Sequence, residues 1–328
     1  MTTRKIIFIS KGPHAASTRY RALNYFPYLR NAGWMPEHFA AVQNPLRRFT
    51  LLRQAASADV VVVLRKTFSP PYLRMLRLAA KQLIFDFDDA IFVHSDGRAS
   101  TMRNGRFTRM MRVSDQVWAG NSYLADAAKH RNDTVTVLPT AIQPEKYDLI
   151  VSKPEDTVDL VWIGSRSTRR YLVDIVPVLE SLASQVPRLR LKIIADFNLY
   201  STALNVRAVA WSSDGEVHEL ASSHIGLAPM PEDPWTQGKC GLKVLQYMAA
   251  GLPIVASPGG VHRDLIEHGV NGFLADSAEA WCVNLLRLIN DPALRQRMGA
   301  SGKKRVAEQF SIAAVFAKMQ SALQTLNT

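Results

Sequence analysis

The chain has little cysteine and no long apolar run, and each scarcity excludes a class of protein. Its 328 residues include two cysteines, and neither Cys240 nor Cys282 has the C-x-x-C or cysteine–histidine spacing of a zinc module. A disulfide-stapled secreted domain is excluded as well. The longest apolar run, Val60 to Leu64, is far short of the roughly 20 residues that a membrane-spanning helix needs. No leader-like segment precedes the first strand pattern, so the sequence predicts a cytoplasmic protein.

Acidic residues are scarce in the first half of the chain. Residues 1–150 contain 22 Lys and Arg against 11 Asp and Glu, a net charge of +11, whereas residues 151–328 contain 18 against 17, a net charge of +1. Such an excess suits nucleic acid, an anionic membrane surface or a phosphorylated substrate, and composition alone does not choose among them. A merely solubilising surface is a further alternative.

Much of this charge lies in amphipathic segments that mix arginine with Leu, Phe or Met. The cations of these segments are Arg47, Arg48, Arg53, Arg74, Arg77, Lys81, Arg103, Arg106, Arg109 and Arg112. Segments of this kind can lie on an anionic bilayer, where lipid phosphates hold the arginines and apolar side chains enter the headgroup region. The last segment adds Met102, Phe107, Met110 and Met111 as candidate lipid contacts. We therefore expect peripheral association with the inner face of the cell membrane, with solvated outer faces as the alternative.

Short β-branched runs alternate with amphipathic stretches along the chain, which predicts parallel βαβ units, with helices that include residues 18–32 and 170–184. The polar, proline-punctuated stretch from Gln143 to Asp156 has no apolar period and is the best candidate linker. The sequence therefore predicts an α/β fold of two doubly wound Rossmann-like domains, residues 1–150 and 151–311, with the helix in 312–328 free to pack back onto the first. Because ligands bind at the carboxyl ends of such strands, we expect a site in a cleft between the two facing halves.

A first candidate binding loop follows the strand predicted at 158–163. Gly164 permits a tight turn before a helix that begins near Arg170, so backbone N–H groups, a positive helix end and Arg166 or Arg170 converge on one point. Such a point, which includes Ser165, suits a diphosphate. Neither the Gly-x-Gly-x-x-Gly fingerprint nor a P-loop is present, and a lone glycine after a strand is often only a turn.

A second candidate loop lies in residues 232–260, where a glycine-containing segment leads into a helix and then into a buried strand. Its glycines allow a ligand to approach the backbone, and its lysines, including Lys239, supply positive charge. An amide one turn into the helix is spaced to bond ribose or sugar hydroxyls. The candidate binding residues here are Gly238, Cys240, Gly241, Leu242, Lys243 and Gln246.

This second segment resembles the donor-binding element of retaining glycosyltransferases of family 4, which have the GT-B fold. That element reads approximately Glu-Gly-Phe-Gly-Leu-x-x-x-Glu-Ala-Met-Ala-x-Gly-x-Pro-Val-Val-Ala. The similarity continues through residues 269–274, extends upstream through 162–165, 115–125 and 137–142, and is strongest over 158–310. The resemblance implies the GT-B fold and transfer of a sugar from a nucleoside diphosphate sugar, a UDP- or GDP-sugar, with retention at the anomeric carbon.

Two positions depart from the family pattern. Its paired acidic residues fall on Gly238 and Gln246, so a ribose can still bond Gln246, whereas Gly238 offers only its backbone. The family's phosphate-binding Arg and Lys map approximately onto Arg166 and Arg170. The resemblance also implies that the loop around Gly12, after the first strand, reaches over the acceptor and the diphosphate.

Three carboxylates crowd the end of the strand predicted at 82–87. Asp86, Asp88 and Asp89 need raised pKa values or a nearby cation, which marks a site. The pair Asp86-x-Asp88 resembles the nucleophile motif of haloacid dehalogenase phosphatases, although the position that needs Thr or Val holds alanine. In the GT-B resemblance, Asp88 and Asp89 fall near a His-Asp pair of many relatives. The alternative is that these carboxylates cap the next turn and pair with Arg98 or Arg103.

Together with the resemblance, the sequence predicts a glycosyltransferase that needs no metal or cofactor. A cluster of four cations, Arg166, Arg170, Lys239 and Lys243, would stabilise the leaving diphosphate, and Asp88 and Asp89 would serve the acceptor side. The expected acceptor is a glycan or lipid-linked molecule of cell-surface polysaccharide or glycolipid biosynthesis, with no nucleic-acid partner. Two alternatives stay open: a metal-dependent phosphatase that uses Asp86 and Asp88, and a non-catalytic nucleotide-sugar or glycan-binding protein.

Overall fold

The structure, a computed structural model, describes residues 4–41 and 44–327, and the side chain of Arg47 lies outside the described part. The chain divides into two units. Unit 1 consists of Met1–Ala141, Asp233–Cys240 and Ile312–Thr328, and unit 2 consists of Ile142–Glu232 and Gly241–Ser311. Residues 142–150 and 233–240 therefore lie in the opposite unit from the one that the sequence analysis gave them, and the C-terminal helix is part of unit 1.

Each unit is built on one sheet of six strands. The strands are β1 (Arg4–Ser10), β2 (Trp34–Ala40), β3 (Val60–Leu64), β4 (Gln82–Phe87), β5 (Gln116–Ala119), β6 (Val135–Val137), β7 (Val158–Ile163), β8 (Leu189–Ala195), β9 (Asn205–Ala210), β10 (Ile225–Ala228), β11 (Ile254–Ala256) and β12 (Gly272–Leu274). The α-helices are α1 (Ala16–Arg21), α2 (Phe26–Asn31), α3 (Pro45–Ser57), α4 (Pro70–Ala79), α5 (Thr101–Val113), α6 (Ser122–Lys129), α7 (Arg169–Val173), α8 (Val176–Gln185), α9 (Gly215–Ala221), α10 (Pro234–Gln237), α11 (Leu242–Ala249), α12 (His262–Leu265), α13 (Ala278–Asn290), α14 (Pro292–Arg305) and α15 (Ile312–Gln324).

Both sheets are parallel and doubly wound, which confirms the predicted fold class. The strand order is β2-β1-β3-β4-β5-β6 in unit 1 and β12-β11-β10-β7-β8-β9 in unit 2. The winding reverses between β1 and β3 in unit 1 and between β7 and β10 in unit 2. Ligands of open α/β sheets bind outside the carboxyl ends of the strands at such reversals. In each unit, the loops that follow these strands are therefore the places to examine for a site.

Two predicted helices are broken at prolines. The helix expected over 18–32 consists of α1, a 3-10 turn at Leu23–Tyr25 and α2, and the helix expected over 170–184 consists of α7 and α8 after a 3-10 turn at Arg166–Thr168. Pro27 and Pro177 stand in the first turns of α2 and α8. Proline has no N–H and clashes with the carbonyl four residues earlier, so it begins a new helix more readily than it continues an old one.

The C-terminal helix α15 covers one face of the unit 1 sheet. Val315, Phe316 and Met319 join a buried cluster with Trp34 of β2 and Trp118 of β5. The Gln116 amide donates a hydrogen bond of 3.1 Å to the carbonyl oxygen of Ala322, which ties the end of α15 to the first residue of β5. Among the described residues, no helix has the length and apolar character needed to cross a bilayer.

Candidate functional site

In unit 2, the loop after β7 lies at the point where the winding reverses. The Ile163 N–H donates to the Tyr247 hydroxyl at 3.0 Å, and the Gly164 N–H donates to the Ile194 carbonyl at 3.2 Å, so the start of the loop is fixed to the sheet and to α11. A Cβ atom at Gly164 would lie 2.3 Å from the indole of Trp162. Glycine is therefore required here by the space available as well as by the turn.

The arginines of this loop are exposed to solvent. The Arg166 N–H donates to a carboxylate oxygen of Asp196 at 2.8 Å, and its guanidinium donates to the Asp196 carbonyl at 3.2 Å. The Arg170 guanidinium donates to the Tyr171 hydroxyl at 3.1 Å. Ser165 also lies exposed in the loop, with its hydroxyl 2.8 Å from that of Ser167. Because both guanidinium groups are exposed, an anion from solution can reach these arginines.

The start of α11 lies beside the same loop through the Trp162 ring. The Lys243 ammonium lies 4.5 Å from the centre of that ring. Gly241, which precedes Leu242 at the helix start, has a φ of 67°, and a Cβ there would lie 2.4 Å from Leu265. The Trp162 ring therefore lies next to both Gly164 and Lys243, which are 79 positions apart in the chain.

Gln246 lies inside unit 2 in a buried polar cluster. Its amide donates to a Glu216 carboxylate oxygen at 2.6 Å and to the Tyr147 hydroxyl at 3.3 Å. The Tyr147 hydroxyl donates to the same oxygen at 2.9 Å, and the Trp211 indole donates to the other oxygen at 2.6 Å. Glu216, Tyr147 and Trp211 were not predicted, since only the polar identity of position 246 on an apolar helix face pointed to a partner. The structure shows Gln246 bonding protein groups, whereas the expected contact was a ribose.

Gly238, Lys239 and Cys240 lie in unit 1. A Cβ at Gly238 would lie 2.6 Å from the backbone nitrogen of Ala90, so the acidic side chain that the family carries there does not fit this packing. The Asn121 amide donates to the carbonyls of Gln237 and Lys239 at 3.0 and 3.1 Å. The expected cluster of four cations is thus divided between the units, with Lys239 in unit 1 and the other three in unit 2.

The carboxylates at the end of β4 and just after it are paired with cations that were not predicted to be their partners. Asp86 is buried and receives two hydrogen bonds from the guanidinium of Arg21. Asp89 pairs with Arg65 and receives a hydrogen bond of 2.7 Å from the Lys239 ammonium. An Asp88 carboxylate oxygen lies 3.3 Å from Nε of Arg65.

The alternative, in which these carboxylates pair with Arg98 or Arg103, is wrong. Arg98 pairs with Asp96 in its own turn, and Arg103 donates to the carbonyl of Val93. Burial raises the pKa of Asp86, and the charge of Arg21 opposes that rise. A carboxylate with both oxygens held by a buried arginine is a poor nucleophile, which weighs against the phosphatase alternative.

Arg65 occupies an unusual backbone position. It directly follows β3, at the reversal point of the unit 1 sheet, and has a φ of 56°. Residues other than glycine rarely adopt this backbone conformation, and those that do concentrate at functional sites.

Cys240 lies buried beside these carboxylates. Its burial raises the pKa of its thiol, which donates to the Asp88 carbonyl at 3.4 Å. The Cys240 thiol is therefore a neutral packing group beside the carboxylates.

The loop around Gly12 is tied to the end of β1. The Gly12 N–H donates to the Ser10 hydroxyl at 3.2 Å, and that hydroxyl lies 2.6 Å from the Thr18 hydroxyl and 2.8 Å from Nε2 of His38. With a φ of 151°, Gly12 has a conformation that other residues rarely adopt. His14 is exposed within the same loop. The loop thus stands beside the reversal between β1 and β3.

A known protein family matches a stretch of the chain that lies mostly in unit 2. Residues 145–291 match the family model described as glycosyl transferases group 1. The putative glycosyltransferase EpsD of Bacillus subtilis is 27% identical over 176 residues, which are 50% of this chain and 45% of that protein. The alpha-1,3/1,6-mannosyltransferase ALG2 of Dictyostelium discoideum is 33% identical over 72 residues, which are 22% of this chain and 17% of that protein. The chain thus matches less than half the length of these curated relatives.

Solved structures similar to this chain cover nearly all of it. Sucrose-phosphate synthase of Thermosynechococcus elongatus gives a TM-score of 0.77 at 14% identity, over 98% of this chain and 99% of that one. A glycosyltransferase of Rickettsia africae gives 0.75 at 13% identity, over 99% of both chains. Anabaena Alr3699/HepE, solved with UDP and glucose, gives 0.72 at 14% identity, over 98% and 100%. The fold is therefore that of the GT-B glycosyltransferases, and the family match supports the glycosyltransferase family.

Proposed function

We propose that the protein is a retaining glycosyltransferase that takes a sugar from a UDP- or GDP-sugar without a metal ion. The observation that carries the proposal is the cationic loop at the reversal of the unit 2 sheet, where Arg166 and Arg170 are exposed after Gly164 and the Lys243 ammonium lies over the Trp162 ring. The family match covers this region, and the related Anabaena protein is described with UDP and glucose. Departure of a nucleoside diphosphate develops negative charge on its terminal phosphate, and fixed cations stabilise that charge as it forms.

The acceptor is proposed to react at the carboxylates of unit 1. Asp88 and Asp89 follow β4, next to the reversal between β1 and β3, and Arg65 and Lys239 hold them in place. An acceptor hydroxyl needs a hydrogen-bond acceptor as it loses its proton, and a paired carboxylate supplies one. The acceptor is proposed to be a glycan or a lipid-linked molecule of cell-surface polysaccharide or glycolipid biosynthesis.

Removal of either loop arginine is expected to weaken nucleotide binding. Arg166→Ala and Arg170→Ala should each lower the affinity for UDP or GDP by about 1–3 kcal/mol, because each removes charge-assisted hydrogen bonds to phosphate. Isothermal titration with both nucleotides measures the change. Arg169→Ala is the matched control, since the Arg169 guanidinium lies over the Phe197 ring in the same turn. Unchanged isotherms for both test variants would remove the phosphate site from the proposal.

Neutralising a unit 1 carboxylate is expected to slow turnover and spare nucleotide binding. Asp88→Asn should reduce kcat by about tenfold or more, because an amide is a weaker hydrogen-bond acceptor for the reacting hydroxyl, with UDP affinity nearly unchanged. Asp96→Asn, in the same connection between β4 and α5, is the control and should retain full turnover. Nucleotide binding without transfer or donor hydrolysis in the parent protein would favour the non-catalytic binding protein instead.

A further inference from the structure

Three successive helices of unit 1 carry arginine and no acidic residue. Helices α3, α4 and α5 contain nine arginines, three, two and four in turn, and no Asp or Glu. Helix α4 packs against both α3 and α5, and their buried residues Leu51, Leu73 and Phe107 join one core cluster on the same side of the sheet. The three helices therefore present their outer sides together. We call the exposed side chains of α3, α4 and α5 the arginine face.

The apolar residues of the arginine face differ from those that the sequence indicated. Phe107, Met110 and Met111 belong to the buried core and are unavailable to lipid. Four other large apolar side chains of these helices stand in solvent. They are Phe49, Met75, Leu78 and Met102, with exposed fractions of 58%, 48%, 78% and 63%.

The exposed cations are largely without neutralising partners on their own helices. Arg74, Arg106, Arg109 and Arg112 are exposed and form no salt bridge among the pairs of the described residues. Arg77 pairs with Asp115, and the Arg53 guanidinium lies 4.8 Å from the centre of the Phe49 ring. A strongly positive field is therefore combined with exposed apolar groups on one side of the unit.

This combination distinguishes between two kinds of anionic partner. A nucleic acid neutralises arginine at its phosphates but gains little from aliphatic side chains such as Leu78. An anionic bilayer offers phosphates to the arginines and, directly below them, an apolar layer for the side chains. From this chemistry we propose that the arginine face docks unit 1 on an anionic lipid surface, with Met75 and Leu78 entering the headgroup boundary. The proposal is independent of the transfer reaction, and its test needs no turnover.

Flotation or cosedimentation with vesicles tests how much the arginine charges contribute to lipid binding. The full chain should bind vesicles of phosphatidylcholine with phosphatidylglycerol, bind phosphatidylcholine alone weakly, and release as salt rises to about 1 M, where the Debye length is about 3 Å. The double variant Arg106→Glu/Arg109→Glu should bind the anionic vesicles about a hundredfold more weakly, because attraction is lost and repulsion is added. The control Arg297→Glu/Lys304→Glu makes the same charge change on exposed positions of α14 and should bind like the parent.

A second variant tests the apolar part with no change of charge. Met75→Ser/Leu78→Ser should weaken binding to the anionic vesicles by about tenfold, since two exposed apolar side chains no longer enter the boundary. Matching thermal transitions for all variants would show that folding is intact. The proposal is overturned if the parent protein does not bind anionic vesicles, or if the charge variant binds them as tightly as the parent. It is also overturned if the serine variant binds the vesicles like the parent while single-stranded RNA displaces the protein from them.

Discussion

Replacing Arg21 with methionine is expected to lower the free energy of unfolding of unit 1 by about 3–5 kcal/mol, because the substitution leaves the Asp86 carboxylate buried without its partner. Arg21 donates two hydrogen bonds to Asp86 and a third to the carbonyl of Leu138, so one side chain joins α1, β4 and the residue that directly follows β6. Urea titrations with pulsed hydrogen exchange, read on peptides from β4 and β8, separate the two units.

A double variant shows whether the unpaired buried charge causes the loss of stability. Arg21→Met/Asp86→Leu should regain most of the lost stability, since it removes the uncompensated carboxylate. Lys129→Met is the surface control, because Lys129 and Asp126 pair in solvent and such pairs contribute little. A loss below about 1 kcal/mol in Arg21→Met would contradict a structural role for this pair.

Unit 2 is expected to lose stability as the pH falls from 6.5 towards 4. Burial lowers the pKa of His224 to about 4, helped by the nearby cations Lys153 and Arg295, and burial lowers the pKa of His262 to about 4 as well. Nδ1 of His224 accepts a hydrogen bond of 3.0 Å from the Asp159 N–H, which requires the neutral ring. Between pH 6.5 and 4 the unfolded chain therefore binds more protons than the folded one, and unfolding is favoured by acid.

The size of this effect follows from the shifts. Each histidine contributes about 1.4 kcal/mol per unit of pKa difference, so moving from pH 7 to pH 5 should cost about 2 kcal/mol for each and about 4 kcal/mol for the pair. Urea titrations across this range measure the slope. The double variant His224→Gln/His262→Gln should have a shallower slope, and His14→Gln, on an exposed loop, should keep that of the parent. A parental slope in the double variant would exclude these two residues as its origin.

The interior of each sheet could be predicted from the sequence, and most of its edges could not. The central strands β3, β4, β7 and β8 are mostly apolar and almost entirely buried, the pattern typical of parallel sheets. The unpredicted β2, β9 and β12 are edge strands. Only one side of an edge strand is hydrogen-bonded to a neighbour, so the sequence there tolerates Pro36 in β2 and solvent-facing positions throughout β9.

The candidate site was predictable where it depends on local chain geometry. Strand ends and helix starts can be recognised in a local sequence motif, and they predict Gly164, Arg166, Arg170 and Lys243. The partners of Asp86 and Asp89 could not be predicted in this way. Arg21 and Lys239 are 65 and 150 positions away from them and reach these carboxylates only after the chain has folded. The same limit applies to Gln246, whose burial against Glu216 depends on the packing of α9 and α11.

The route of the chain through unit 1 has a consequence for synthesis. Residues 4–141 leave the ribosome before unit 2, yet the sheet face that α15 covers stays open until residues 312–324 have been made. Trp118, Trp34 and the apolar side chains beside them remain uncovered while all of unit 2 is translated. Unit 2 is therefore expected to complete its core first although its sequence comes later, and a fragment that stops before residue 312 should bind chaperones or aggregate.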